Sequence, residues 1–186
     1  LPLDPSKRIA LIGPLADAQH DVTGCWSAAR DPKNTVSVLS GIKSALENNA
    51  DVTYAKGCNL LTDREFLKRV SGQDAVDPRT DDEMMNEAYN IASKADVVVA
   101  VLGEPSDLSG EASSRSQIGL PGRQLDLLKI LLQTGKPVVL VLINGRPLTI
   151  EYEAAHVPAI LEAWHGGTET GNAVADVIFG KVNPSG

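Results

Sequence analysis

The chain alternates short, unbroken apolar runs with longer segments in which apolar residues recur every three or four positions. Arg8–Ile12 is an apolar run ended by Gly13-Pro14, and Asp51–Ala55 is a second, stopped at Gly57. Val97–Leu102 carries no polar residue and reads as a strand buried on both faces. Val138–Ile143 repeats that character before Asn144-Gly145 turns the chain, and Ala159–Ala163 is a fifth, weaker run. Between these runs, Val36, Leu39, Ile42, Ala45 and Leu46 share one helical face. Thr80-Asp81-Asp82-Glu83 has the form of a capping box with an acidic first turn. It opens a helix with Met84, Ala88, Ile91, Ala92 and Ala95 on one face. Gln124–Leu132 predicts another helix, ended by Gly135-Lys136-Pro137. Thr168 is placed to cap a last one, apolar from Ala173 to Phe179, with Gly180 just past its end.

Strands alternating with helices of these lengths predict a three-layer α/β/α sandwich with a mostly parallel sheet, flavodoxin-like in appearance. A single domain over 1–186 is expected, and the strand order is not readable from the pattern. Asn59–Arg79 is the poorest fit: it is polar, breaks any period and contains Ser71-Gly72-Gln73 and Asp77-Pro78-Arg79. It predicts a long excursion with one helical turn at Glu65–Val70, serving as a functional loop or packed against another surface.

Composition narrows the chemistry. At 186 residues and 42% hydrophobic, the chain can bury one substantial core. A net charge of −7 disfavours both nucleic acid and anionic membrane surfaces as partners. The longest apolar run falls far short of the roughly 20 residues of a spanning helix. Cys25 and Cys58 have neither zinc nor CxxC spacing. They read as two unpaired, partly buried thiols or, since each follows the end of a predicted strand, as one disulfide. No signal peptide is visible, yet the chain begins Leu1-Pro2-Leu3 without a Met and reads as a piece of a longer protein.

Several motifs are missing. No GxGxxG follows the first strand, no GxxxxGK[ST] cradles a phosphate, and no GxSxG elbow presents a serine. His20, His156 and His165 lack metal-binding spacing, and Asp17 lacks the acidic neighbour of a phospho-receiver. What remains is the loop between Gly103 and Gln124, with Glu104, Asp107, Glu111 and Arg115, at the carboxyl end of a core strand. Glu111 lies between Ser109-Gly110 and Ala112-Ser113, small residues that let a substrate come close, as a proton donor to a glycosidic oxygen requires. The plainer alternative is a solvated loop acid. Glu104, the rival acid, directly follows the strand and reads as structural, and Arg115 is placed to hold a carboxylate of its own loop in a bidentate pair, with a freely solvated arginine as the alternative. Trp26, in Thr23-Gly24-Cys25-Trp26-Ser27 after the first strand, reads equally as core or as a platform for a sugar ring. Trp164, before His165-Gly166-Gly167, reads as core or interface.

Together, IALIGPLAD, GCW, the VLGE…SGEASSR…LP loop, GKPVVLVLINGRP and AWHGGTETGNAVADVIFGKVNPSG resemble the second domain of family 3 glycoside hydrolases, nearest its bacterial periplasmic β-glucosidase branch. The resemblance covers essentially the whole chain. It implies a two-domain retaining enzyme in which a preceding (β/α)8 barrel carries the nucleophilic aspartate and most of the glucose pocket. Glu111 falls at the position of the general acid/base, Trp26 at the tryptophan of the aglycone side, and Asn144-Gly145-Arg146-Pro147 at a structural turn. The implied substrate is a β-linked oligosaccharide or glucoside, the implied compartment the periplasm or the exterior, and no metal or organic cofactor is implied. A non-catalytic domain-docking or carbohydrate-interaction module is the alternative. Nothing in the chain matches the barrel or its nucleophile, so the purified chain is expected to fold yet leave aryl β-glucosides intact. Nitrophenol release that Glu111→Gln abolishes would contradict this.

Overall fold

The computed structural model describes residues 1–29, 31–47 and 51–184. Among these residues five strands, β1 (Ile9–Ile12), β2 (Val52–Ala55), β3 (Val97–Gly103), β4 (Val138–Ile143) and β5 (Ala159–Glu162), form one all-parallel sheet in the order β2-β1-β3-β4-β5. Ile9 pairs with Val52 on one side and Val97 on the other, while Val98 pairs with Val138 and Val139 with Ala159. Every residue of β1, β3 and β4 is buried, as unbroken β-branched runs require when helices cover both faces.

Among the described residues six α-helices supply that cover: α1 (Val38–Ala45), α2 (Arg64–Ser71), α3 (Asp81–Lys94), α4 (Gln124–Leu132), α5 (Glu151–His156) and α6 (Thr170–Ile178). On one face, Leu39, Ile42, Leu67, Val70, Val174 and Ile178 pack on Ile9, Leu11, Val99 and Val141. On the other, Met85, Ala88, Ala92, Leu127 and Leu131 pack on Ala10, Ile12, Ala100 and Leu140. The three layers follow from strand alternation: neighbouring residues point to opposite faces, and each face has its own helices. α1 and α6 cross almost backbone to backbone, since a Cβ on Gly171 would lie 2.0 Å from the Ser37 carbonyl oxygen.

The sequence reading holds for β3, β4 and α4, and for the Thr80 capping box, in which Thr80 and Glu83 cap each other's backbone N–H groups. It needs correction in four places. Thr168 does not cap the last helix. Its carbonyl accepts from Val36 N–H at 2.8 Å, and α6 begins two residues later with Glu169 at the cap position. Val36 is accordingly outside α1, whose cap is Ser37. The Asn59–Arg79 excursion is more ordered than one turn: α2 is capped by Asp63, and Asn59 exchanges hydrogen bonds with the Asp77 backbone. α5 has no counterpart in the sequence reading. The last two residues of the C-terminal motif, 185–186, lie outside the described residues. Among the described residues no helix is long and apolar enough to cross a membrane.

Cys25 and Cys58 are both free thiols. Cys58 is fully buried beneath α3 and α4, and that burial pushes its thiol up, whereas Cys25 is only half-buried. A thiol-disulfide reagent should therefore titrate one group in the native chain and two in denaturant. No reactive thiol in denaturant would mean the two are paired.

Candidate active site

Parallel order 2-1-3-4-5 places a switch point between β1 and β3, where successive connections leave the sheet in opposite directions and a crevice opens at the carboxyl ends. Trp26 follows β1 and Glu111 follows β3, so the fold brings both loops to this crevice. There they line a hollow of about 240 Å³ with Cys25, Asp107, Ser109 and Ser113. The loops touch: a Cβ on Gly110 would lie 2.7 Å from Cys25 Sγ and 3.6 Å from the Trp26 ring. Trp26 is 74% exposed, which removes it from the core and leaves its ring open to a ligand.

Residues 104–123 are fastened at their neck. Gln124, the first residue of α4, is fully buried; its Oε1 accepts from Gly103 N–H and its Nε2 donates to Gly103 O, each at 2.8 Å. The same amide reaches Pro121 O at 3.1 Å, so both ends of the loop meet on one side chain. Farther along, buried Asp21 accepts from Ser106 N–H at 2.9 Å and from the Ser71 hydroxyl at 3.1 Å. This single carboxylate ties the loop after β1, the end of α2 and the loop after β3.

Glu104 is fully buried beside Ile143, whose carbonyl accepts its N–H at 2.9 Å. One carboxylate oxygen pairs with Arg115 Nη1 and lies 3.3 Å from Arg146 Nε, and the other accepts from the Ser109 hydroxyl at 3.2 Å. Arg115 does not form the expected bidentate pair. Its second nitrogen turns to Gly119 O at 2.9 Å, so the fork bridges the two arms of the loop rather than clasping one carboxylate.

Glu111 presents the opposite environment. It is exposed, between Gly110 at φ +107° and Ala112 at φ +60°. Positive φ on both sides throws the side chain outward, and an alanine in that region is a strained position. Among the described residues its carboxylate takes no hydrogen bond or ion pair. Arg146, from the turn after β4, donates to the carbonyls of Leu108 and Ser113. His165, after β5, packs between the first loop and that turn: a Cβ on Gly24 would sit 2.9 Å from its Nδ1, and one on Gly145 2.7 Å from its Cε1. Trp164 is 46% exposed at φ +53°, so it is not a core residue.

Sequence reasoning missed Asp21, Gln124, His165 and the loop contacts of Arg146. It also missed Glu162 at the end of β5, whose carboxyl is pushed up by burial against the pull of Trp164 N–H and Asn144. A larger hollow of about 690 Å³ lies toward β2, where Arg79 pairs with Asp77 and Glu87 and Lys56 donates to Ala75 O. Among the described residues no three His, Cys, Asp or Glu side chains gather as a metal site.

Glu104→Ala should destabilise the purified chain by on the order of 3 kcal/mol, because it strands two half-buried guanidinium groups. The urea midpoint should fall at unchanged slope. A change within about 0.5 kcal/mol would show that the loop holds without its buried charge.

The sequence pattern of the glycosyl hydrolase family 3 C-terminal domain matches residues 1–186. A periplasmic β-glucosidase of Salmonella typhimurium is 50% identical over the whole chain, which corresponds to 25% of that protein. A β-xylosidase of Formosa agariphila is 40% identical, again over the whole chain and 24% of its own length. Among solved structures, a β-glucosidase from Listeria innocua superposes with a TM-score of 0.80 at 34% identity, covering 100% of this chain and 22% of that one. The chain thus spans about a quarter of the relatives it matches. With its full-length family match, its all-parallel sandwich and the loops gathered at its switch point, the chain belongs to the family 3 glycosyl hydrolase C-terminal domains.

Proposed function

We propose that this domain supplies the general acid/base, Glu111, to a retaining glycosidase whose nucleophilic aspartate sits on a (β/α)8 barrel of the same protein. The observation that carries this reading is the contrast between the loop's two glutamates. Glu104 is buried, its oxygens taken up by Arg115, Arg146 and Ser109, so it has nothing to offer a substrate. Glu111 is exposed and unpaired among the described residues, on a loop fixed at its neck and at its tip. A carboxylic acid that must give a proton and then take one back needs this combination of open access and a rigid backbone.

In this reading the aspartate attacks the anomeric carbon while Glu111 protonates the leaving oxygen. Glu111, now ionised, then draws a proton from water as that water displaces the enzyme from the sugar. The two carboxyl groups must stand about 5–5.5 Å apart. Since they belong to different domains, docking sets that distance. Trp26, 74% exposed beside Glu111, is placed to stack on the leaving-group sugar. Terminal β-linked glucose, or a similar sugar such as xylose, fits the relatives' names, and a periplasmic or extracellular location fits the Salmonella relative.

The test uses the enzyme that joins this domain to its barrel. Glu111→Gln should lower kcat/KM on alkyl β-glucosides by about 10²–10⁴, with far less loss on dinitrophenyl glucosides, whose leaving group needs no proton. On the dinitrophenyl glucoside, where breakdown of the glycosyl-enzyme becomes limiting, azide, a nucleophile that needs no base, should restore turnover and yield the β-glycosyl azide. Near-normal rates without azide would make Glu111 a bystander and the domain a docking module.

A further inference from the structure

We infer that Arg146 is the positioning residue for the acid/base, setting the reach and direction of Glu111 by clamping the backbone on both sides of it. This rests on the acid/base reading of Glu111. Arg146 Nη2 donates to Ser113 O at 2.7 Å and also to Leu108 O. The two carbonyls flank Ser109-Gly110-Glu111-Ala112, the tip that projects into the hollow beside Trp26. One nitrogen thus closes a ring around the reacting side chain.

Besides this clamp, the tip is tied to buried Glu104 through the Ser109 hydroxyl at 3.2 Å and to Ser106 O through Ser109 N–H at 3.3 Å. Within the loop, Ser113 N–H reaches Gly110 O at a long 3.3 Å, and the Ser113 hydroxyl donates to Asp107 O at 2.8 Å. Against these stands the left-handed φ of Ala112, a strained conformation for a residue with a Cβ, which favours relaxation of the turn. A clamp from outside the loop opposes that relaxation. Arg146 is itself fixed from three sides. Asn144 Nδ2 donates to its carbonyl at 2.8 Å, its Nε lies 3.3 Å from Glu104 Oε1, and its side chain is only 21% exposed. Gly145 seats the turn, since a Cβ there would fall 2.6 Å from Ser109 Oγ. The end of β4 therefore fixes the acid on the loop after β3.

The chemistry calls for arginine in particular. A planar guanidinium keeps its charge beside Glu104 while Nη2 donates to two carbonyls at once, whereas an ammonium is a compact charge that cannot hold both places. Proton transfer needs the donor within about 2.6–3.2 Å of the leaving oxygen, and a displacement of 1 Å can cost about 10²-fold in rate.

The experiment compares wild type, Glu111→Gln, Arg146→Lys and Arg146→Ala in the enzyme that contains both domains. Each is assayed on an alkyl and a dinitrophenyl β-glucoside, with and without azide, alongside its thermal midpoint. Arg146→Lys should lose on the order of 10²-fold in kcat/KM on the alkyl substrate and stay near wild type on the dinitrophenyl one. Azide should accelerate its turnover of the latter and give glycosyl azide. If Arg146→Ala does not fold, Arg146→Lys, which keeps the charge beside Glu104, carries the comparison. Equal losses on both substrates, or wild-type rates, in a folded Arg146→Lys protein overturn the clamp while Glu111→Gln still shows its split. If Glu111→Gln shows no such split, the acid/base reading fails and the clamp fails with it.

Discussion

A charged carboxylate cannot be left buried without partners, and that constraint organises the working end of this domain. Glu104 leaves β3 into the interior, where its oxygens must be met by cations and donors drawn from elsewhere. Arg115 comes from farther along the same loop, Arg146 from the turn after β4, and Ser109 from the tip. Each partner needed to bury Glu104 also fixes a stretch of backbone next to Glu111. One glutamate is buried and fully engaged, and the other is presented to solvent. Two residues of the same type on one loop thus take opposite roles from their surroundings alone.

The sheet supplies the second half of the arrangement. Because β1 and β3 are neighbours, the loops that follow them meet at the switch point, and Asp21 binds them together through Ser106 while anchoring to Ser71 at the end of α2. The hollow they form is shallow, at about 240 Å³, and presents the Glu111 carboxylate beside the Trp26 ring. In the proposed function that is half of an active site for retaining hydrolysis, which needs a nucleophile on the opposite side of the sugar. A shallow, rigid half-site suits a domain that completes its chemistry against another surface.

Much of the architecture is legible in the sequence because it rests on local periodicity. Val97–Leu102 and Val138–Ile143 are too uniformly apolar to be anything but doubly covered strands, and Gln124–Leu132 carries its stripe undisturbed. α2 is harder to see because charged residues surround its buried Leu67 and Val70, and α5 because six residues give no period to read. Thr168 misleads because its carbonyl is claimed by Val36, a contact between segments distant in sequence. Strand order is hidden for the same reason. At the site, Glu111 and Trp26 stand out as an acid and an aromatic among small residues. Their supports, Asp21, Gln124, Arg146 and His165, are ordinary residues in the sequence and gain their roles only when the sheet brings four loops together.

The central claim is that this loop holds Glu111 where a second carboxylate, on another domain, can share its substrate. The most direct measurement is a crystal structure of the two-domain enzyme trapped as its 2-fluoroglycosyl intermediate. The account predicts the Glu111 carboxyl about 5–5.5 Å from the carboxyl group bonded to the sugar, with Arg146 still bridging Leu108 and Ser113. A separation beyond about 9 Å, or another acid of this domain in that place, would contradict it.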